Sequence, residues 1–282
     1  FLVNLVHKNV FDAATKNENM LQVIFFAVLF GVALLSINKE KASPVKRFFE
    51  GTNEVILKIV DYLMYLAPLG TFALIANVFV QNSENFGELI VAIGEYSFTV
   101  IIALLIVITI SVVLAYFFGK KKPIDFLKGI APAQLLAFST RSSAAALPVN
   151  MECVKNKVGV DKEVTSFVLP LGATINMDGT SCYQAVAAVF IANVYQMDLD
   201  VMDQLSIVLT ATLASIGSAA VPGAGMVMLA IVLGHLGVPM VGIALIIGVD
   251  RLLDMCRTVV NVTGDAMVAT VIGSKVENKI RE

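Results

Sequence analysis

The chain has 282 residues, 57% hydrophobic and 15% charged, with a net charge of −2 and a mean hydropathy of +0.83. Ordinary soluble domains carry about 25% charged residues, so the composition reads as an integral membrane protein, and the near-neutral balance excludes a strongly basic nucleic-acid binder. Cys153, Cys182 and Cys256 form no even framework and are read as packing residues, while His7 and His235 are too few and too far apart for a metal site.

The chain opens at Phe1 inside FLVNLVHKNVF, with neither an initiator Met nor a basic n-region. No signal peptide is read, and earlier segments are expected to be missing. Apolar segments follow at about 20–37, 55–81, 88–118, 129–150, 164–195, 205–233 and 239–273. Several reach the ~20 residues a bilayer-spanning helix needs. NKEKASPVKR (38–47), GKKKPIDFLK (119–128), KNKVGVDKE (155–163) and SKVENKIRE (274–282) are rich in Lys and Arg, whereas NSEN (82–85) and QMDLDVMDQ (196–204) are acidic. Lys and Arg accumulate on the cytoplasmic side, which places the first group inside and the second outside.

Loops 119–128 and 155–163 then lie on one side, and the segment between them is too short to cross twice. It is expected to enter and return as a re-entrant hairpin over about 123–156, interrupted by STRSS at 139–143. The same count makes a second hairpin of about 204–236, opening from outside and broken at ASIGSAAVPGAG (214–225). Each hairpin precedes a long apolar helix interrupted by polar residues: 163–195 with NMDGT (176–180), and 239–275 with NVTGD (261–265). The expected fold is all-α, a polytopic membrane protein with two re-entrant hairpins and two broken transmembrane helices in an inverted repeat, the plan of secondary transporters.

DRLLDMCRTVVNVTGD (250–265) places five charges in sixteen residues of otherwise apolar text. Asp250, Asp254, Arg257, Thr258, Asn261 and Asp265 fall on one helical stripe at about 100° per residue, with Arg251 off its edge. Such a stripe in a membrane helix points to a protein interior or a wet cavity and is a functional hypothesis by default. The plain alternative is a structural Asp254–Arg257 ion pair. In LPLGATINMDGT (169–180), Pro170, Gly172 and Gly179 disfavour continuous helix. Unwound backbone at membrane depth is tolerated where it lines a cavity, and freed carbonyls beside Asn176 and Asp178 supply oxygen ligands for small cations. Here the alternative is a proline–glycine kink. Exposed amides in TRSSAAALP suit a carboxylate, as helix N-termini do. The small residues of SAAVPGAG admit close backbone approach, or simply tight packing.

RSSAAALP (141–148), LPLGATINMDGT, ASIGSAAVPGAG and DMCRTVVNVTGD, in this order and spacing, resemble the dicarboxylate/amino acid:cation symporters, the glutamate transporter family, from near residue 1 to about 275. The resemblance implies an elevator-type transporter with a homotrimeric scaffold. Residues 1–118 would form the scaffold side, the helix at about 88–118 travelling with the moving part, and 119–282 the transport core. It implies that Arg257, with Thr180 nearby, pairs with a substrate side-chain carboxylate and that Asp254 takes the α-ammonium. Thr258, Asn261 and the backbone around Ser142 and Ser143 would hold the α-carboxylate and amine end, and Val221 to Gly225 would close over the ligand. Arg141 sits in the first hairpin as in archaeal members, where animal carriers place an arginine at the position of Met255. Gln184 stands where proton-coupled animal carriers have Glu. AAA at 144–146 departs from the commoner serine-rich tip.

For cations, the resemblance implies one sodium site at Gly172, Asn176, Asn261 and Asp265. A second would use Thr174, Ser215, Ile216 and Ser218 through backbone oxygens. A third would use Asn176 and Asp178 with residues of a helix outside this chain. The resemblance also implies an amino acid substrate, because dicarboxylate carriers of the family lack the Asp254 equivalent. It implies an acidic side chain, because neutral amino acid carriers replace the Arg257 equivalent; an Arg–carboxylate pair is charge-assisted and often bidentate. The expected function is symport of aspartate or glutamate with sodium ions by a multi-pass protein of the cell membrane bilayer, with no enzymatic activity. The alternatives are a proton-coupled acidic amino acid or dicarboxylate symporter, an intramembrane aspartyl protease using Asp178 and Asp265, and a passive channel. The expectation fails if the buried charges saturate one another with no void between the hairpin tips.

Overall fold

The computed structural model describes residues 8–15, 20–66, 69–70, 72–73, 76, 80, 86–218 and 220–281. No strand occurs among them, so the chain is all-α as its hydrophobic patterning requires. His7, most of the 67–81 part of the apolar segment read at 55–81, and the NSEN loop lie outside the described residues. The chain divides into two compact units, Phe1–Phe86 and Gly87–Glu282.

The first unit holds α1 (Val10–Ala13), α2 (Met20–Ser36) and α3 (Lys39–Met64). The side chain of Asn9 caps α1 by accepting from the Phe11 amide at 3.0 Å. Phe30 of α2 meets Phe49 of α3 edge-on, with ring centroids 5.6 Å apart.

From Gly87 on, the second unit begins with α4 (Phe86–Phe117), a long helix rich in Ile, Val and Leu. Its stretch Gly87–Phe117 is, among the described residues, the one helix long and apolar enough to cross a bilayer. Two helix pairs follow. In the first, α5 (Pro123–Thr140) runs to Arg141, whose left-handed backbone (φ 55°, ψ 30°) turns the chain into α6 (Ser143–Cys153). Ala133, Ala137 and Ala146 line the seam of this hairpin, and small residues let two helix backbones approach closely. A single π-turn at Val154–Val158 and left-handed Gly159 end it. In the second pair, Asp200 and Asp203 form a reciprocal capping box at the start of α9 (Val201–Ile216). The chain then passes through the small-residue tip into α10 (Ala224–His235).

Between the hairpins the chain forms α7 (Lys162–Ile175) and α8 (Asp178–Val194), separated by non-helical Asn176 and Met177. The expected break in 163–195 is therefore present. That expected in 239–275 is absent: after a 3₁₀ turn at Met240–Gly242, α11 (Ile243–Arg281) continues through Asn261–Asp265. The segment from Ile243 to Arg281 contains no proline, and the side chains of Asn261 and Asp265 bond to the α7–α8 segment instead of competing for their own backbone. Helix α11 joins two apolar cores. Ile246, Leu253 and Val260 pack with α4, α8, α9 and α10, while Ala266 and Ala269 pack with Phe126, Ile130, Val168 and Leu169. Its polar stripe runs between the two.

Candidate functional site

The break between α7 and α8 leaves unpaired backbone groups, as helix ends do. Met177 provides no side-chain cap for α8. Asn261 of α11 does so from outside: its Oδ1 accepts from the Gly179 amide at 2.8 Å, and its Nδ2 donates to Thr180 Oγ1 at 3.2 Å. One turn along α11, Asp265 Oδ1 accepts from Asn176 Nδ2 at 3.0 Å. The two α11 side chains thus hold both ends of the break.

Around Asn261 the structure brings together most of the expected substrate residues. A cavity of 10 Å³ is lined by Arg141 and Ser143 of the first hairpin, Val221 and Gly225 of the second, Thr180 of α8, and Asp254, Thr258 and Asn261 of α11. That is the room of about one water molecule. The two tips close over it. Ser142 Oγ donates to the Ala220 carbonyl at 2.7 Å while accepting from the Ala145 amide as the N-cap of α6. The Gly223 amide donates to Asp254 Oδ2 at 3.1 Å. Thr258 is buried, its hydroxyl donating to the Asp254 carbonyl of its own helix at 2.8 Å.

Arg257 is 1% exposed. Its Nη2 lies 2.7 Å from Asp254 Oδ1 and 3.4 Å from Asp250 Oδ1, and its guanidinium carbon sits 3.8 Å from the centre of the Tyr183 ring. Arg141 Nη1 adds a longer contact to Asp254, 3.7 Å. These charges do not saturate one another: Arg257 Nε and Nη1 have no hydrogen-bond acceptor, nor has Asp250 Oδ1 a donor. A Cβ on Gly225 would lie 3.0 Å from Nη1 and 3.2 Å from Thr180 Cγ2. Of the two unmet nitrogens, Nη1 therefore lies beside the hairpin tip at Gly225. The charge is paired, but a buried N–H left without an acceptor is still costly.

Gly172, Asn176, Asp178 and Asp265 form a second corner. A Cβ on Gly172 would lie 2.6 Å from Asp265 Oδ1, and one on Gly264 2.6 Å from Asp178 Oδ2, so both carboxylates press on backbone that only glycine leaves open. Two carboxylates, an Asn and exposed carbonyls offer hard oxygen donors, the kind that suit a hard cation. Asn261, expected in both the cation and the substrate sets, lines the neighbouring cavity. The other expected cation set is divided. Thr174 is exposed, with its hydroxyl donating to the Leu171 carbonyl at 2.8 Å. Ser215 and Ile216 line an open groove of 560 Å³ with Ile175 and Asp178, and Ser218 lines the substrate-side cavity.

A family model for the sodium:dicarboxylate symporter family matches residues 1–275. The chain belongs to that family. It is 44% identical over 260 residues to excitatory amino acid transporter 1 of Ambystoma tigrinum, covering 92% of this chain and 48% of that protein. The human excitatory amino acid transporter 1 is 42% identical over 255 residues, 90% and 47% of the two chains. An excitatory amino acid transporter of Caenorhabditis elegans is 41% identical over 259 residues, 92% and 51%. The chain spans about half the length of the curated relatives it matches. These are membrane transporters, not enzymes.

Around this cavity the structure adds residues beyond the sets read from sequence. Asp250 contacts Arg257 directly, and its place on the α11 stripe, seven residues before the arginine, was the available signal. Tyr183 faces the guanidinium one turn after Thr180. Met177 lines the cavity, and its sulfur accepts from Asn261 Nδ2 at 3.6 Å; a methionine inside NMDGT gave no such signal.

Proposed function

We propose that the protein carrying this chain is a sodium-coupled symporter of acidic amino acids, aspartate or glutamate. The observation that supports this best is Arg257, buried behind the tip cavity with Nε and Nη1 lacking acceptors and Nη1 beside Gly225, which lines that cavity. A substrate side-chain carboxylate would complete it in charge-assisted pairing. Asp254 takes the α-ammonium, releasing its bond to the Gly223 amide. Ser142, Ser143, Thr258 and Asn261 surround the α-carboxylate end. The cavity is too small for an amino acid as it stands, so the second hairpin tip must lift for entry and close afterwards. Sodium ions occupy the Asp265–Asn176–Asp178 corner, and a cation there tightens the same break that Asn261 caps from the substrate side. Co-transport with protons is not favoured: at Gln184 the chain carries an amide, Nε2 donating to the Gly225 carbonyl at 3.1 Å.

The protein is placed in the cell membrane as a multi-pass protein. The length of α4 supports this, as do exposed apolar side chains such as Phe98, Leu105 and Phe117 along it. Residues 1–118 are assigned to the scaffold of a homotrimer and 119–282 to the transport core. Within 1–118, α4 is the exception, assigned to the moving part because it groups with the core helices.

The test is uptake of radiolabelled aspartate into vesicles bearing the full-length protein. Uptake should require a sodium gradient, and Arg257→Cys should weaken aspartate binding by about 100-fold or more, the cost of stranding a buried charge partner. Uptake unchanged when choline replaces sodium, or unaltered affinity in the variant, refutes the reading.

A further inference from the structure

Both arms of the first hairpin reach α11 at one point. Gln134 of α5 donates from Nε2 to Thr263 Oγ1 at 2.9 Å, and Asn150 of α6 donates from Nδ2 to the Val262 carbonyl at 3.3 Å. These targets are adjacent, and they lie between Asn261 and Asp265. At about 100° per residue, Val262 and Thr263 turn away from the face that carries those two side chains, so the hairpin grips the back of the turn whose front holds the α7–α8 break. Thr263 also donates to the Val259 carbonyl at 2.7 Å, and such back-bonding loosens and bends a helix. An external partner at that hydroxyl therefore bears on the local course of α11.

Asn150 is an expensive way to fill its position. It is 1% exposed beside the Ala133, Ala137, Ala146, Cys153 and Val262 cluster, and its Oδ1 has no hydrogen-bond partner. A buried amide that is half met costs stability, and an apolar residue of similar volume avoids that cost. Its remaining benefit is the directed bond to Val262.

We infer that Gln134 and Asn150 are positioning residues that fix the Asn261–Asp265 turn, so that a cation at Asp265 acts on the substrate cavity through Asn261. This rests on the proposed sodium-coupled function and adds the element that links its two corners. With the grip removed, α11 yields at this turn, and part of the cation's effect is lost before it reaches Asn261.

The experiment is equilibrium binding of radiolabelled aspartate to the full-length protein over a range of sodium concentrations, with thermal unfolding measured without sodium. Asn150→Leu and Gln134→Leu should each raise the half-saturating sodium concentration about fivefold, the worth of one neutral hydrogen bond. Aspartate affinity at saturating sodium should move less than about twofold and the melting midpoint should not fall. Thr263→Val should reproduce the Gln134→Leu shift, and the double variant should not exceed either single one, as coupled partners behave. Leu135→Ala, on the exposed side of α5, should change nothing. Variants with wild-type sodium dependence, or with sodium and aspartate binding weakened together and a lower melting midpoint, overturn the inference. A wild-type protein indifferent to sodium overturns the proposed function and this inference with it.

Discussion

NMDGT (176–180) and NVTGD (261–265) are built from the same residue types, yet one breaks its helix and the other does not. Each contains Asn, Asp, Gly and Thr, which compete with a helix through local side-chain bonds or backbone freedom. In α11, Asn261 and Asp265 sit four residues apart on one face and spend their side chains on a neighbour: Gly179 and Thr180 at one end, Asn176 at the other. Their own backbone keeps its ladder. In the α7–α8 segment the helix stops at Ile175, and the orphaned groups are met by those borrowed side chains. The continuous helix is the template on which the broken one is held open. Two similar strings thus take complementary roles, and the break is a property of the pair.

The most severe way to disturb that pair is to push the two helices apart at their closest approach. A Cβ on Gly179 would lie 2.6 Å from the Arg257 carbonyl and 3.0 Å from Val260 Cβ. The first of these is backbone, which cannot swing aside. Gly179→Ala should displace α8 from α11, stretch the bond to Asn261 and carry Thr180 away from Arg257. Overpacking of about 1–3 kcal/mol with loss of a buried hydrogen bond of similar cost predicts aspartate affinity down by about 100-fold and a lower melting midpoint. Affinity within threefold of wild type would mean that this contact does not hold the break.

A gentler change removes Asn261, and with it the borrowed cap and the bond to Thr180. Asn261→Ala leaves the Gly179 amide without an acceptor in a buried place, a loss of about 1–2 kcal/mol, so aspartate binding should weaken by about tenfold. Asn261→Asp retains an acceptor for Gly179 but loses the donor to Thr180, and should recover part of that loss. Equal binding by the Ala and Asp variants would show that the cap at Gly179 contributes nothing.

Much of this architecture was legible in the sequence because it follows from local rules. Charge in the loops and the length of apolar runs gave the helix order and the two helix pairs, and polar residues three and four apart gave the α11 stripe with Arg257 in its middle. The break at Asn176 was read from Pro170, Gly172 and Gly179, although the helix runs on past Pro170 to Ile175. The continuity of α11 was not, because it depends on where Asn261 and Asp265 find partners, 82 and 89 residues away. The same reason hid what Asn261 bonds to: its place on the stripe gave no sign that it caps Gly179 and reaches Thr180. Gln134 and Asn150 gave no signal, as an amide in a small-residue helix is as easily turned to solvent.

The smallest effect belongs to the residue that looks most responsible for the break. Pro170 lies inside α7, where it lacks an amide to donate back along the helix. It precedes the first non-helical residue by six positions, and α7 remains helical past it to Ile175, with the Asn176 amide still donating to the Gly172 carbonyl at 2.8 Å. If Asn261 and Asp265 hold the break, Pro170→Ala merely restores one hydrogen bond upstream. Sodium half-saturation and aspartate affinity should then stay within about twofold, with melting unchanged or slightly higher. A large loss of sodium dependence would instead make the proline the cause, and α11 would be left as a bystander to a kink written into α7 itself.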